Sequence, residues 1–152
     1  MLGVKIAAVF IMGTAIGVLY RIPRNVLLYG SLSGVVAWLI TYGLLQAGAG
    51  IVTASFCGSL AIGILAELLA RVLRKPATVF VIPGFIPLVP GGEAFTTMRL
   101  LVEGRALDAI AMGVQTLFMA GAIAFGIFVS ITVYRLTATY YEKSGISHVD
   151  ES

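Results

Sequence analysis

The residues best suited to contact a polar solute lie in one interrupted apolar stretch, residues 77–104, which reads ATVFVIPGFIPLVPGGEAFTTMRLLVEG. Pro83, Pro87 and Pro90 fall within eight positions of it. A proline inside a helix costs about 3 kcal/mol, so one continuous helix is excluded. A turn in solvent is normally polar, whereas the residues between these prolines are apolar. The pattern therefore predicts irregular backbone at membrane depth, which must lie inside protein or along a water-filled cavity.

We expect a solute site at this break. A half-helix that begins near Gly92 presents unpaired backbone amides, which together with the helix dipole attract a carboxylate. Gly91 and Gly92 let a solute approach the backbone, and the unwound carbonyls before them suit an ammonium group or a coupling cation. The predicted substrate-binding residues are Pro83, Gly84, Pro87, Pro90, Gly91, Gly92, Glu93, Thr96 and Thr97.

Some of these polar residues also have an ordinary structural explanation. An acidic residue such as Glu93 is favoured in the first turn of a helix by the dipole alone; its alternative role is to bind a proton or the ammonium group of a solute. Thr96 and Thr97 are placed to hydrogen-bond a solute, but threonines in membrane helices as often bond their own backbone.

Glu67 is the one acidic residue within a regular apolar span. Carboxylates inside a membrane are costly and often carry protons or ions, so Glu67 and Glu93 are the predicted ion-coupling residues. The alternative for Glu67 is a structural ion pair with Arg71, one helical turn later in the favourable order.

Other chemistry has little support in the sequence. The single histidine, His148, stands near the carboxyl terminus, and Cys57 has no metal-ligating neighbour in the chain. No phosphate-binding glycine loop is present, and the basic residues lie at the ends of apolar spans, where membrane topology explains them. The sequence therefore predicts no enzyme, no cofactor, no metal site and no nucleic-acid partner.

The elements that must position these residues are membrane-spanning helices. Hydrophobic residues make up 59% of the 152-residue chain and charged residues only 11%, with a mean hydropathy of +1.03. A soluble domain needs more charge than this, and about 20 apolar residues span a bilayer as a helix. We predict an all-α integral membrane protein with about five transmembrane helices, the fourth broken. The first span begins at residue 2 or 6 and ends at residue 20, and the others are 26–45, 51–70, 77–104 and 109–134. Together they form one transmembrane domain over residues 1–141, followed by a polar cytoplasmic tail at 142–152.

Two alternatives to the broken span remain open. Residues 77–104 also fit a re-entrant loop, which would leave four spans, or a tight proline turn between two ordinary helices. Charge favours the broken span, because cytoplasmic loops are enriched in lysine and arginine. With five crossings the two termini lie on opposite sides of the membrane. If the amino terminus is outside and the carboxyl terminus inside, all of these basic residues lie on the cytoplasmic side: Arg21, Arg24, Arg71, Arg74, Lys75, Arg135 and Lys143.

Small residues recur at helical spacing in four of the spans and predict close helix packing. They are Gly13 and Gly17, Gly30 and Gly34, Ser55, Ser59 and Gly63, and Ala120 and Ala124.

The run PGFIPLVPGG at residues 83–92, followed by Thr96, Thr97 and Met98, resembles the signature of the threonine/serine exporter family. The likeness extends from the basic turn at 21–24 through Arg105, and the chain looks like the small, separately encoded half-component of a two-component exporter. The resemblance implies ion-driven export of small hydroxy-amino acids across the bacterial inner membrane; some two-component members are associated with dicarboxylates such as succinate. Phe95 stands where the family more often has tyrosine, which puts a hydroxyl contact there in doubt.

The same resemblance implies a second, larger membrane subunit as partner. It is also compatible with a higher oligomer that contains this chain. Two other functions compete with this interpretation. One is a non-transporting scaffold or regulatory subunit of a larger membrane complex, and the other is a channel-like oligomer.

Overall fold

The computed structural model describes residues 2–146, with side chains up to residue 136. Six α-helices and one 3-10 turn make up the described chain. They are α1 Leu2–Leu19, α2 Arg24–Gln46, α3 Ile51–Leu73, α4 Thr78–Phe85, the 3-10 turn Ile86–Leu88, α5 Gly91–Val102 and α6 Ala106–Ile146. Within these residues no strand is found, which confirms the predicted all-α class.

Four helices are long and apolar enough to cross a membrane: α1, α2, α3 and residues Ala106–Leu136 of α6. A fifth crossing is made if the bent pair formed by Thr78–Leu88 and Gly91–Val102 counts as one span; the two halves meet at 44°. This agrees with the prediction of about five membrane helices with the fourth broken.

The relative directions of the helices distinguish the broken span from the re-entrant loop. The rings of Phe56 on α3 and Phe125 on α6 lie 6.1 Å apart, and eleven residues later on α3 the carboxylate of Glu67 meets Arg135. The pairs advance along both helices together, so α3 and α6 run in the same direction. A re-entrant loop would leave them antiparallel. The segment between them therefore carries the chain from one end of the bundle to the other.

Pro83 does not end the helix that contains it. The three prolines exclude one continuous helix, but α4 continues through the first of them, Pro83, to Phe85, and the regular backbone is lost only between Ile86 and Pro90. A proline ring holds φ near the helical value. Proline destabilises a helix mainly because it lacks an amide hydrogen for the helical hydrogen bond and because its ring crowds the preceding turn. Here Pro83 is buried within the bundle, where packing offsets that cost.

Glycines of α1 and α2 provide the space in which this turn is buried. A Cβ at Gly30 would lie 2.6 Å from the Pro83 ring, and one at Gly13 would lie 3.2 Å from the Pro83 carbonyl oxygen. A Cβ at Gly34 would lie 3.1 Å from both the Cα and the carbonyl oxygen of Gly84. The predicted small-residue positions of α1 and α2 are thus where the bundle closes on the proline turn.

The last helix is longer than its apolar span. It continues to Ile146, into the region predicted as a polar tail from residue 142. Residues 147–152, which include His148, lie outside the described residues.

Candidate functional site: a cavity at the helix break

A cavity of about 360 Å³ lies where the broken segment passes the end of α2 and the start of α3. Four of the predicted site residues line it: Pro87, Pro90, Gly92 and Glu93. The break therefore borders a groove between the helices.

One wall of the cavity is the amino end of α5. The helix begins at Gly91, as predicted, with Pro90 as its N-cap residue and no side-chain cap. The Gly91 amide donates to the Val89 carbonyl at 2.7 Å and the Ala94 amide to the Pro90 carbonyl at 3.1 Å. Among the described residues, the amides of Gly92 and Glu93 have no acceptor. Such orphan amides at a helix start are suited to bind an anion.

The opposite wall comes from α2 and α3, and sequence reasoning missed it. Thr41 lines the cavity, and its Oγ1 lies 3.0 Å from the Ala37 carbonyl oxygen and 3.3 Å from that of Ala54. Ser55 also lines the cavity and is 2% exposed. Its spacing with other small residues indicated only helix packing, and no signal in the sequence separates the two roles.

The charged side chain that lines the cavity is acidic. Glu93 supplies a carboxylate, while no basic side chain of the described part of the chain lines the cavity. The indole of Trp38, stacked on Tyr42 at 5.1 Å between centroids, adds an aromatic surface. The cavity thus offers orphan amides for an anion, a carboxylate for a cation, and hydroxyl groups.

The remaining predicted substrate-binding residues lie elsewhere. Pro83 and Gly84 are buried against α1 and α2, and Gly91 is exposed beside the cavity without lining it. Thr96 and Thr97 donate to the carbonyl oxygens one turn earlier, at 2.8 Å and 2.9 Å. Their hydroxyls therefore make the backbone bonds that the sequence left as the alternative to solute binding.

Glu67 is buried between α3 and α6 and is 8% exposed. Its Oε1 lies 3.5 Å from Nε of Arg135, an ion pair, although that oxygen accepts no hydrogen bond within the described residues. The expected pair with Arg71 is wrong, because the Arg71 guanidinium instead lies over the Tyr134 ring at 4.9 Å from its centroid. An acid on the buried face of α3 is within reach of a cation on the neighbouring helix.

Glu67 and the cavity are well separated along α3. Glu67 follows Ser55 by twelve positions, a rise of about 18 Å in an α-helix. The two predicted coupling acids, Glu67 and Glu93, therefore stand at different levels of the bundle, and only Glu93 lines the cavity.

A family model described as "Threonine/Serine exporter, ThrE" matches residues 5–133. The chain belongs to the threonine/serine exporter family. The matched residues include the whole of the cavity lining, and membership of this transporter family implies a multi-pass membrane protein that is not an enzyme. No solved structure was found that matches this exporter-family chain.

Proposed function

We propose that this chain is one membrane half-subunit of a secondary exporter of threonine or serine, and that it works in the bacterial inner membrane with a second, larger membrane subunit. The observation that carries the proposal is the cavity at the break, which is lined by Gly92 and Glu93, two residues with orphan amides and, in Glu93, a carboxylate. The family assignment supports the class of solute.

Solute binding follows from the chemistry of the two groups at the start of α5. The carboxylate of an amino acid binds the orphan amides, helped by the helix dipole. Its ammonium group binds the Glu93 carboxylate. The fixed φ angles of Pro87 and Pro90 hold the unwound backbone in place, so little ordering entropy is lost when the solute arrives.

The dimensions of α6 support the need for a partner. Its apolar part, Ala106–Leu136, has 31 residues and is about 46 Å long as a helix, against about 30 Å for the hydrocarbon core. Large apolar side chains near its start are exposed, among them Leu107, Leu117 and Phe118. A second membrane subunit that packs here would cover apolar surface that the bilayer alone is too thin to cover.

Transport in reconstituted vesicles tests the proposal. We expect radiolabelled threonine to leave vesicles that contain both subunits, and no efflux above empty vesicles from this chain alone, since half of the transport path is missing. The control is Phe10→Leu, which does not line the cavity and should export normally. Efflux from the purified chain without a partner would refute the half-subunit assignment, and failure of the assembled pair to move threonine or serine would refute the substrate assignment.

The same vesicles test ion coupling. If Glu67 carries the coupling ion, Glu67→Gln loses export driven by an imposed ion gradient but keeps exchange of solute across the membrane. Glu93→Gln also removes the proposed contact to the solute ammonium group, so we expect it to lose both export and exchange. Normal gradient-driven export by both variants would remove both residues from the coupling step.

Orientation is tested by labelling cysteines with a membrane-impermeant maleimide on intact cells, in a Cys57→Ser background. We expect Ala47→Cys, between α2 and α3, to react from outside, and Lys75→Cys and Ser147→Cys to react only after permeabilisation, because the basic turns should be cytoplasmic. Reaction of Ser147→Cys on intact cells would exclude a cytoplasmic carboxyl terminus.

A further inference from the structure

Ser55 lines the cavity with a hydroxyl for which the described part of the chain offers no hydrogen bond. The residue is 2% exposed. The other hydroxyls on the same face of the bundle are engaged: Thr41 reaches carbonyl oxygens of α2 and α3, and Ser59, one turn further along α3, donates to the Phe56 carbonyl at 2.8 Å. Hydroxyls that are shut off from solvent are normally satisfied within the protein, so the Ser55 hydroxyl at the cavity wall is left free to bond a group that enters the cavity.

The chemistry of the other lining groups defines what Ser55 can bind. The orphan amides of α5 only donate, and the Glu93 carboxylate when ionised only accepts. The Ser55 hydroxyl can do both, and it stands on the wall opposite the start of α5. A solute held by its carboxylate and ammonium groups at α5 can extend its side chain across the cavity to Ser55.

We propose that Ser55 is a specificity-determining residue of the solute site, where it hydrogen-bonds a hydroxyl group on the solute side chain. The inference rests on the proposed solute site at α5 and adds to it the means by which hydroxy-amino acids are selected over apolar ones of the same size. A solute without the hydroxyl fills the cavity but leaves Ser55 buried and unpaired, which a site built to bond a hydroxyl rejects.

Competition between threonine and valine tests this, because valine replaces the threonine hydroxyl by a methyl group at nearly constant volume. Vesicles that contain this chain and its partner subunit should export threonine about tenfold faster than valine, as expected for one buried hydrogen bond. In Ser55→Ala that ratio should fall to about one. Ser59→Ala is the matched control: it removes a buried hydroxyl from the same helix, one that does not line the cavity, and should keep the ratio of the unmodified protein.

The outcomes separate this inference from the proposed function. If the unmodified pair exports threonine and Ser55→Ala retains the preference over valine, Ser55 does not select the solute, although the exporter assignment stands. If the unmodified pair exports neither amino acid, the proposed function fails and this inference fails with it.

A binding measurement gives a second result that does not depend on turnover. In a Cys57→Ser background, Ser55→Cys should react with a small methanethiosulfonate reagent, and threonine should slow that reaction severalfold more than valine does. Ser59→Cys should show no such difference between the two amino acids. Equal protection of Ser55→Cys by both, or none by either, would overturn the proposal even if Ser55→Ala proved poorly assembled.

Discussion

Replacement of Gly92 by valine is expected to reduce export by tenfold or more while the chain still inserts and assembles. Gly92 lines the cavity, and a Cβ built on it meets no heavy atom within 4 Å, so the added side chain does not clash with the fold. It does occupy the space in front of the orphan amides, where the solute carboxylate should bind. Loss of one charge-assisted contact of this kind corresponds to roughly tenfold or more in affinity.

The measurement is initial efflux of radiolabelled threonine, with the amount of assembled complex determined in the same vesicles. Gly43→Val provides the matched control, because Gly43 is an exposed glycine of α2 whose Cβ would also meet nothing within 4 Å, and it does not line the cavity. Normal export by Gly92→Val would mean that the solute site lies elsewhere and that the start of α5 is only architecture.

Gly34→Val should strongly destabilise the folded chain. A Cβ at this position would already lie 3.1 Å from two backbone atoms of Gly84 and 3.3 Å from the Pro83 carbonyl oxygen, and valine adds two methyl groups beyond it. The clash is not easily relieved, because the three atoms that the new side chain meets all belong to the backbone of the broken segment. Overpacking of this kind costs about 3 kcal/mol, and we also expect export to be lost, because α4 and the break must move away from α2.

Unfolding of the purified protein in detergent, followed by circular dichroism, measures the change. Gly43→Val is the control in the same helix, since a Cβ on Gly43 meets nothing within 4 Å. Equal midpoints for the two variants would show that α2 and the broken segment do not pack this closely.

The membrane class, the positions of the spans and the break could be read from the sequence. Long apolar runs with few charges leave a helix as the main way to satisfy the backbone in a bilayer. Closely spaced prolines with two following glycines predict both the interruption and the start of α5, which begins at Gly91, within one residue of the expected position. These features are local: each depends on the backbone preferences or the hydropathy of a short segment, so neighbouring segments do not alter them.

The sequence does not reveal features that depend on which helix packs against a given helix face. The partner of Glu67 is Arg135, 68 positions later in the chain, and not Arg71 on the same helix. Ser55 shares its small-residue spacing with Ser59, yet the first lines the cavity and the second packs beside Gly126 of α6. Pro83 remains helical because glycines of α1 and α2 leave room for it. Periodicity identifies the faces of a helix but not the element that each face meets; the packing of the bundle therefore determined the lining of the cavity and the partner of its buried acid.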